Sequence, residues 1–442
     1  MLFRRHGTFS GGIGLPDEKE GLVDGPILPA PRCPRLLVPL APCGGVAARP
    51  LVSPGQRVYQ GRKIAEAADG WGVDVFAPLS GVVKDIGIAN LAGQEGFVSC
   101  PAIELEDLED PQLPTVEMPL DFDWRSLEPA MMEERLAGGG LTTQRLPVLP
   151  LAAWLERARS CRCDTLIANV VEGQPYVTSD HRLLAESGKE VVEGLAIIGR
   201  AMGNPRMVLA VDERRTGHYR RVIGSAENHD VGCIAVSHKY PAGADIVLAS
   251  LLTRRAAPQG GDTMDAGVAV VNAAVCHAVR QWAVCGQPPT HRVVTVAGDG
   301  ISHPGNYWTP LGVSCAALAG AGDHLVHGGP MTGLRCVADA VVGPATDAVL
   351  RIESDVSTAS SQCIRCGWCV DHCPVRLNVS ALNDDFELGQ VRHAARAGSM
   401  RCVECGVCGY VCPARLPLRH RVRQLKKALA VIGEETVMGS SP

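Results

Sequence analysis

The run Cys363-Ile364-Arg365-Cys366-Gly367-Trp368-Cys369-Val370-Asp371-His372-Cys373-Pro374 is followed, after a connecting segment, by Cys402-Val403-Glu404-Cys405-Gly406-Val407-Cys408-Gly409-Tyr410-Val411-Cys412-Pro413. Both read C-x2-C-x2-C-x3-C-P. Three thiolates at that spacing curl around one face of an iron–sulfur cube, while the fourth points away and reaches a second cube; the proline then turns the chain aside. The pattern therefore predicts two [4Fe-4S] clusters with exchanged fourth ligands. Cys363, Cys366, Cys369 and Cys412 belong to one, and Cys402, Cys405, Cys408 and Cys373 to the other. Structural zinc normally takes four ligands in two well separated pairs, and two identical quartets fit it poorly.

The chain has 442 residues, 46% of them hydrophobic, which is enough for several cored domains. Its longest apolar runs, such as Ile246 to Leu252, fall far short of the roughly 18 to 20 residues that span a bilayer. The expectation is a protein that is soluble, or attached to a membrane only through a partner protein. No apolar stretch follows the basic opening Met1-Leu2-Phe3-Arg4-Arg5-His6-Gly7, so no secretory signal is expected and disulfides are disfavoured. A formal net charge of -5 gives no nucleic-acid signature, although basic residues crowd the C-terminus. The ten cysteines outside the quartets are scattered and read as buried or free thiols.

In chain order, residues 1–35 are rich in Gly and Pro and read as an arm over another domain. Residues 36–108 alternate apolar and polar positions around turn glycines, as in Val52-Ser53-Pro54-Gly55 and Phe76-Ala77-Pro78. They resemble the barrel-sandwich fold of lipoyl and biotinyl domains, without the Lys motif that would carry such a cofactor. Residues 109–160 form a linker, acidic and Pro-rich at first and containing the glycine run Gly138-Gly139-Gly140. A glycine-rich turn before a helix can hold a phosphate on its backbone N–H groups. From 161 to 288, strands at Thr165–Val171, Arg206–Val211, Gly232–Val236 and Val268–Val271 alternate with helices at Arg182–Met202, Ala244–Leu252 and Ala274–Val284. That order predicts a parallel sheet, whose ligands bind at the carboxyl ends of the strands. Asn169, Glu172, Gln174, Lys239, Tyr240 and Asn272 stand at those ends. Residues 289–350 read as a small mixed β domain containing the turn Gly328-Gly329-Pro330. Residues 351–442 read as a helical dicluster domain. Its last helix has one apolar stripe (Leu418, Val422, Leu425, Leu429, Ile432) and basic residues off it.

Together these segments resemble the RnfC component of the Rnf-type ion-translocating ferredoxin:NAD oxidoreductase. The resemblance is carried, in order, by Gly11-Gly12-Ile13-Gly14-Leu15-Pro16-Asp17-Glu18-Lys19, the barrel-sandwich domain, Asn169-Val170-Val171-Glu172-Gly173-Gln174-Pro175-Tyr176, Lys239-Tyr240-Pro241-Ala242-Gly243, Pro304-Gly305-Asn306, Gly328-Gly329-Pro330-Met331 and the double cysteine motif. The family is related to the flavoprotein subunit of respiratory complex I. The implied fold class is multidomain α+β: a barrel-sandwich hybrid, an α/β complex I flavoprotein-like domain, a β-grasp domain and the dicluster domain.

By the same resemblance Gly138, Gly139, Gly140, Asn169, Glu172, Tyr240, Gly243 and Asn272 fall at an FMN site fed by NADH. The glycine run is shorter than the family's Gly-x-Gly-Gly-Ala-Gly-Phe-Pro-Thr, and Gln174 replaces a carboxylate. The implied role is electron transfer between NADH, through FMN, and the clusters. The implied setting is a membrane redox complex on the cytoplasmic face of the inner membrane, with other subunits and a ferredoxin or flavodoxin as partners. The alternatives are a flavin-less iron–sulfur relay or scaffold, and a cobalamin reductase-like protein.

Overall fold

The structure, a computed structural model, describes residues 3–438 except 69, 110–122, 323 and 354–359, with side chains through Ile432. The acidic, Pro-rich connection expected after residue 107 falls largely outside the described residues. The predicted parallel sheet is present, with strands Arg4–Arg5, Val231–Val236, Arg206–Asp212, Thr165–Val170 and Val268–Asn272 in that spatial order. Its central strands are apolar throughout because helices cover both faces. Gly188–Ala201 and Ala273–Cys285 pack on one side, and Asp245–Thr253 on the other.

Two local expectations change. The helix expected over Arg182–Met202 is two helices, Ser179–Glu186 and Gly188–Ala201, parted at Ser187, whose φ of -115° and ψ of 36° leave the helical region. Apolar periodicity runs through the break because both helices face the same core. Helices Pro129–Ala137 and Leu151–Ser160 flank the glycine run, in a stretch whose sequence reads as linker.

The barrel-sandwich domain pairs a four-stranded sheet (Leu36–Pro39, Phe97–Glu106, Gly81–Ala92, Arg57–Val58) with a three-stranded one (Arg49–Pro50, Lys63–Glu66, Val75–Phe76). Leu36, Val58, Ile64, Ile103 and Leu105 are buried between them. The β domain is a six-stranded mixed sheet built on His291–Gly298, Gly305–Pro310 and Ala348–Arg351. The N-terminal segment does more than lie on a surface. Arg4–Arg5 completes the edge of the parallel sheet, and Ile27–Pro29 completes the edge of the mixed one. Each edge strand thereby occupies main-chain groups that would otherwise stay open.

In the C-terminal domain the segment between the quartets is helical as expected, at Val379–Glu387 and Val391–Arg396. Leu418, Val422 and Leu425 of the long helix Leu418–Met438 are buried against it. The basic residues off that stripe are largely paired at home: Arg421 Nη1 donates to Asn383 Oδ1 at 2.6 Å, and Arg423 and Lys426 both bind Glu404 at 2.6 Å. That helix braces its own domain, as an amphipathic helix more often does.

Gly194 lets helix Gly188–Ala201 ride close on Ala273–Cys285; a Cβ there would sit 1.7 Å from the Cys276 carbonyl oxygen. Gly194→Ala is expected to cost about 2 kcal/mol or more through overpacking, read as a lower midpoint in denaturant. Gly224→Ala, with open space around it, is expected to gain about 0.5–1 kcal/mol of helix propensity instead.

Three buried imidazoles set an acid limit. His181 Nε2 faces the Val23 carbonyl at 3.1 Å while Nδ1 meets the Tyr219 hydroxyl, His327 Nε2 meets Thr346 Oγ1 at 2.8 Å, and His277 lies against Gln281. Burial holds His181 down to about 3, and His277 and His327 down to about 4. Because these folded values lie below the unfolded one, the associated stability is complete above about pH 6.5 and is lost as pH falls toward them. Denaturant titrations from pH 7 to 5 should show a decline of up to about 1.4 kcal/mol per pH unit for each ring, shallower in His181→Gln.

Candidate functional site

The two cysteine runs fold into matching loops. Gly367 and Gly406 take φ of 83° and 81°, Arg365 and Glu404 take 59° and 54°, and Arg376 and Arg415 take 54° and 53°. Each loop then enters one helical turn, Trp368–Asp371 or Val407–Tyr410. The positive φ values turn successive residues inward, so identical spacing produces identical backbone.

The thiols gather in the exchanged sets. Cys363, Cys366, Cys369 and Cys412 line one cavity with about 380 Å³ of empty space, part of it open to solvent, walled also by Asn383 and Leu416. Burial pushes the Cys369 thiol up to about 11, and Cys363, Cys366 and Cys412 are the neighbouring thiols that add to the rise. In the second set, burial carries Cys405 up to about 12, with Cys402 and Cys373 adding to it. Cys408 is raised by burial and then by Cys402, Cys405 and Cys373. Backbone N–H groups approach two sulfurs, Leu377 N at 3.3 Å from Cys373 Sγ and Glu404 N at 3.4 Å from Cys402 Sγ. Among the described residues, no three His, Cys, Asp or Glu side chains converge tightly enough for a single metal ion. Eight thiols in two sets of four supply the donor set of two [4Fe-4S] clusters.

Three other parts of the chain meet at the second quartet. The Tyr240 hydroxyl donates to the Cys405 carbonyl at 2.6 Å. The N-terminal arm arrives through Gly11 and Gly12: a Cβ at Gly11 would lie 2.5 Å from the Cys373 carbonyl oxygen, and Gly12 N donates to His372 O at 2.8 Å. The Gly-Gly-Pro turn of the β domain faces both neighbours. Gln174 accepts from Met331 N and Thr332 N and donates to Thr332 Oγ1, while Arg419 donates to Thr332 O at 3.0 Å. An amide both gives and takes these bonds, which accounts for Gln174 where the family has a carboxylate.

The residues expected at a flavin site do not form one open cradle. Asn169 Nδ2 donates to Gly243 O at 2.9 Å and Asp245 Oδ1 at 2.8 Å, and its Oδ1 accepts from Val171 N. Gly243 leaves room for that approach, since a Cβ would meet Val171 O at 1.9 Å. Asn272 caps helix Ala273–Cys285 by accepting from Val275 N. Glu172 accepts from Asp180 N, His181 N and Ser179 Oγ at the start of helix Ser179–Glu186. Burial pushes Glu172 up and Asp180 well above the carboxylate range, the latter reinforced by Glu172 beside it. Gly138 and Gly139 pack under Trp282, and Gly140 (φ 63°) under Phe76 and the Asp74 carbonyl.

Gly140 also lines an interdomain cavity of about 580 Å³ of empty space, partly open, with Phe76, Thr142, Gln144, His291 and Arg292 on its walls. Arg292 is almost fully buried, and neither its Nε nor His291 Nε2 has a hydrogen-bond partner. The rest of the Arg292 guanidinium is occupied, Nη1 by the Pro344 carbonyl and Nη2 by Asp347 at 2.7 Å, so only Nε is left without a partner beside the glycine turn and the Phe76 ring. Arg145, next to Gln144, pairs with Asp245 at 2.6 Å and so ties this cavity to Asn169. Phe76, His291 and Arg292 escape sequence reading because they sit on two other domains, and no local motif marks them.

Comparison with known proteins agrees with this architecture. Residues 7–107 match the RnfC barrel sandwich hybrid domain, 148–281 the Nuo51 FMN-binding domain and 355–418 the 4Fe-4S dicluster domain. The Nuo51 match leaves out Gly138–Gly140. The NAD+-reducing [NiFe]-hydrogenase in its H2-reduced state superposes with TM-score 0.45 and 16% identity, over 76% of this chain and 71% of that one. A barrel-sandwich domain, a Nuo51-type domain and a dicluster domain in one chain define an iron–sulfur electron-transfer protein of flavoprotein type. The C component of the proton-translocating ferredoxin:NAD(+) oxidoreductase complex of Clostridium ljungdahlii is 28% identical over 85% of this chain and 84% of its own length. The C component of the ion-translocating oxidoreductase complex of Salmonella choleraesuis is 30% identical over 84% of this chain and 53% of its own. The chain belongs to the RnfC family of Rnf-type ion-translocating oxidoreductases. It spans about half the length of the Salmonella relatives. Among the described residues no helix is long and apolar enough to cross a membrane.

Exchanged pairing has a direct check. In anaerobically reconstituted protein, Cys412→Ala should disturb the same spectroscopic cluster signal as Cys363→Ala, and Cys373→Ala the same one as Cys402→Ala. Loss by sequential quartet instead would reverse the assignment.

Proposed function

We propose that this chain is the electron-transfer subunit of an Rnf-like membrane redox complex, passing electrons between NADH, through FMN, and a partner through two [4Fe-4S] clusters. The observation that carries this reading is the gathering of eight thiols into two exchanged quartets, one of them seated against the Nuo51-type domain by Tyr240. With other subunits supplying the membrane attachment, the chain takes a peripheral place, on the cytoplasmic face of the inner membrane. NADH donates there, and a ferredoxin or flavodoxin serves at the other end.

When bound, FMN supplies the conversion of a two-electron hydride into single electrons. The chain's own part is to hold, orient and exclude. Gly140 and Phe76 would give a close, flat wall, beside which Arg292 Nε and His291 Nε2 stand without protein partners. The buried Glu172 and Asp180 carboxyls lie at the start of helix Ser179–Glu186, where burial raises both. Cys363, Cys366, Cys369 and Cys412 would hold one cluster, and Cys402, Cys405, Cys408 and Cys373 the other, with the N–H groups of Leu377 and Glu404 steadying two of the sulfurs.

The flavin-less relay is the second reading. The bonds that already occupy Asn169, Glu172 and Asn272 within the protein favour it. Denaturing the purified holoprotein and assaying the supernatant for FMN, alongside NADH-dependent bleaching of the cluster absorption, separates the two. Released flavin with bleaching is expected. Clusters reducible by dithionite but not by NADH, with no flavin released, would leave only the relay. Reoxidation of the reduced clusters by cobalamin would assign the third reading.

A further inference from the structure

The internal repeat presents the same loop twice, and the chain treats the two copies differently. In the second copy the loop is covered. Cys405 is 9% exposed and Val407 1%, and Val403 packs with Ile13, Leu15, Tyr240 and Met331 from the arm, the α/β domain and the β domain. In the first copy the equivalent positions are open: Ile364 is 65% exposed, Trp368 52%, and Cys366 is an exposed thiol. One loop of a repeated pair is therefore docked within the chain, while its twin offers an apolar pair of the same placement to solvent.

The charges differ in the same sense. Glu404, in the covered loop, is neutralised by Arg423 and Lys426, whereas its counterpart Arg365 stands 65% exposed with its guanidinium on Asp384. Over residues 360–427 there are 11 Lys and Arg against 5 Asp and Glu, within a chain of net charge -5. Another exposed apolar patch, Ile88 and Val98 on the barrel-sandwich hairpin, lies in the stretch 81–106, which carries 1 Lys against 4 Asp and Glu. An acidic protein would be drawn to the first and repelled by the second.

We propose that the loop Ile364–Trp368 is the docking face through which the cluster of Cys363, Cys366, Cys369 and Cys412 exchanges electrons with a small acidic electron-carrier protein. The other cluster is then the inner one, joined to the α/β domain at Tyr240. This rests on the two-cluster reading of the proposed function and adds to it an order of the clusters and a surface. In each encounter one electron leaves the reduced cluster and enters the carrier's oxidised centre. No covalent bond forms or breaks, and no proton is required.

The test uses the full-length holoprotein reduced with dithionite, freed of excess reductant, so that FMN is not needed. It is mixed by stopped flow with an oxidised, acidic [2Fe-2S] ferredoxin as probe. The second-order rate should fall as salt rises, and drop about tenfold or more in Ile364→Glu and Trp368→Ala. It should stay unchanged in Val98→Glu. Electron paramagnetic resonance first establishes that each variant keeps both cluster signals. Cys366→Ala should lose one signal and the transfer together, while the remaining cluster still reduces. Wild-type rates in both loop variants, loss confined to Val98→Glu, a rate indifferent to salt, or transfer surviving in Cys366→Ala would each overturn the docking face. A wild-type chain without two clusters would instead refute the proposed function itself.

Discussion

Each set of four thiols takes three from its own run and the fourth from the other. Cys412 lies with Cys363, Cys366 and Cys369, and Cys373 with Cys402, Cys405 and Cys408. That exchange places two loops nearly forty residues apart in sequence side by side. Helices Val379–Glu387 and Val391–Arg396 span the distance, and Leu418–Met438 closes the far side with Leu418, Val422 and Leu425. The rest of the chain covers the apolar pair of the second loop but meets the first run at His372 and Cys373, so the symmetry of the repeat is broken by what docks on it.

What docks is a junction of three segments rather than one interface. Tyr240 comes from the end of a strand-to-helix connection, Met331 and Thr332 from the β-domain turn, and Gly11 and Gly12 from the arm. The close approaches need glycine where backbone meets backbone, as at Gly11 against Cys373 and Gly406 against Met331 O. Most polar groups inside the junction are paired, Gln174 with two N–H groups and a hydroxyl and Arg419 with a carbonyl, while Arg419 Nε is left without a partner. Burying them unpaired would cost on the order of 1–3 kcal/mol each. This gives the order of the domains in space a chemical basis: the quartet nearest the Nuo51-type domain is the one the chain itself covers.

Local pattern made much of the architecture legible. Cysteine spacing specified two quartets and the exchange between them, because ligand geometry acts over a few residues. Apolar runs announced the parallel strands, since strands covered on both faces have no polar side to show. The same signal hid the break at Ser187, where two helices share one core. It also hid the helices around Gly138–Gly140, whose short amphipathic faces are interrupted by glycine and proline.

The sequence by itself singled out the eight thiols and divided them into two quartets, for thiol, spacing and proline are all read in order along the chain. The tertiary structure alone decided what becomes of Asn169, Glu172 and Tyr240. Each carries a polar group able to serve a cofactor or a backbone partner, and the choice depends on what distant segment arrives: Gly243 for Asn169, the start of helix Ser179–Glu186 for Glu172, Cys405 for Tyr240. It likewise decided that one cysteine loop is covered and its twin exposed. Hydrogen bonds and burial are settled by three-dimensional neighbours, and no periodicity in a single chain records who those neighbours will be.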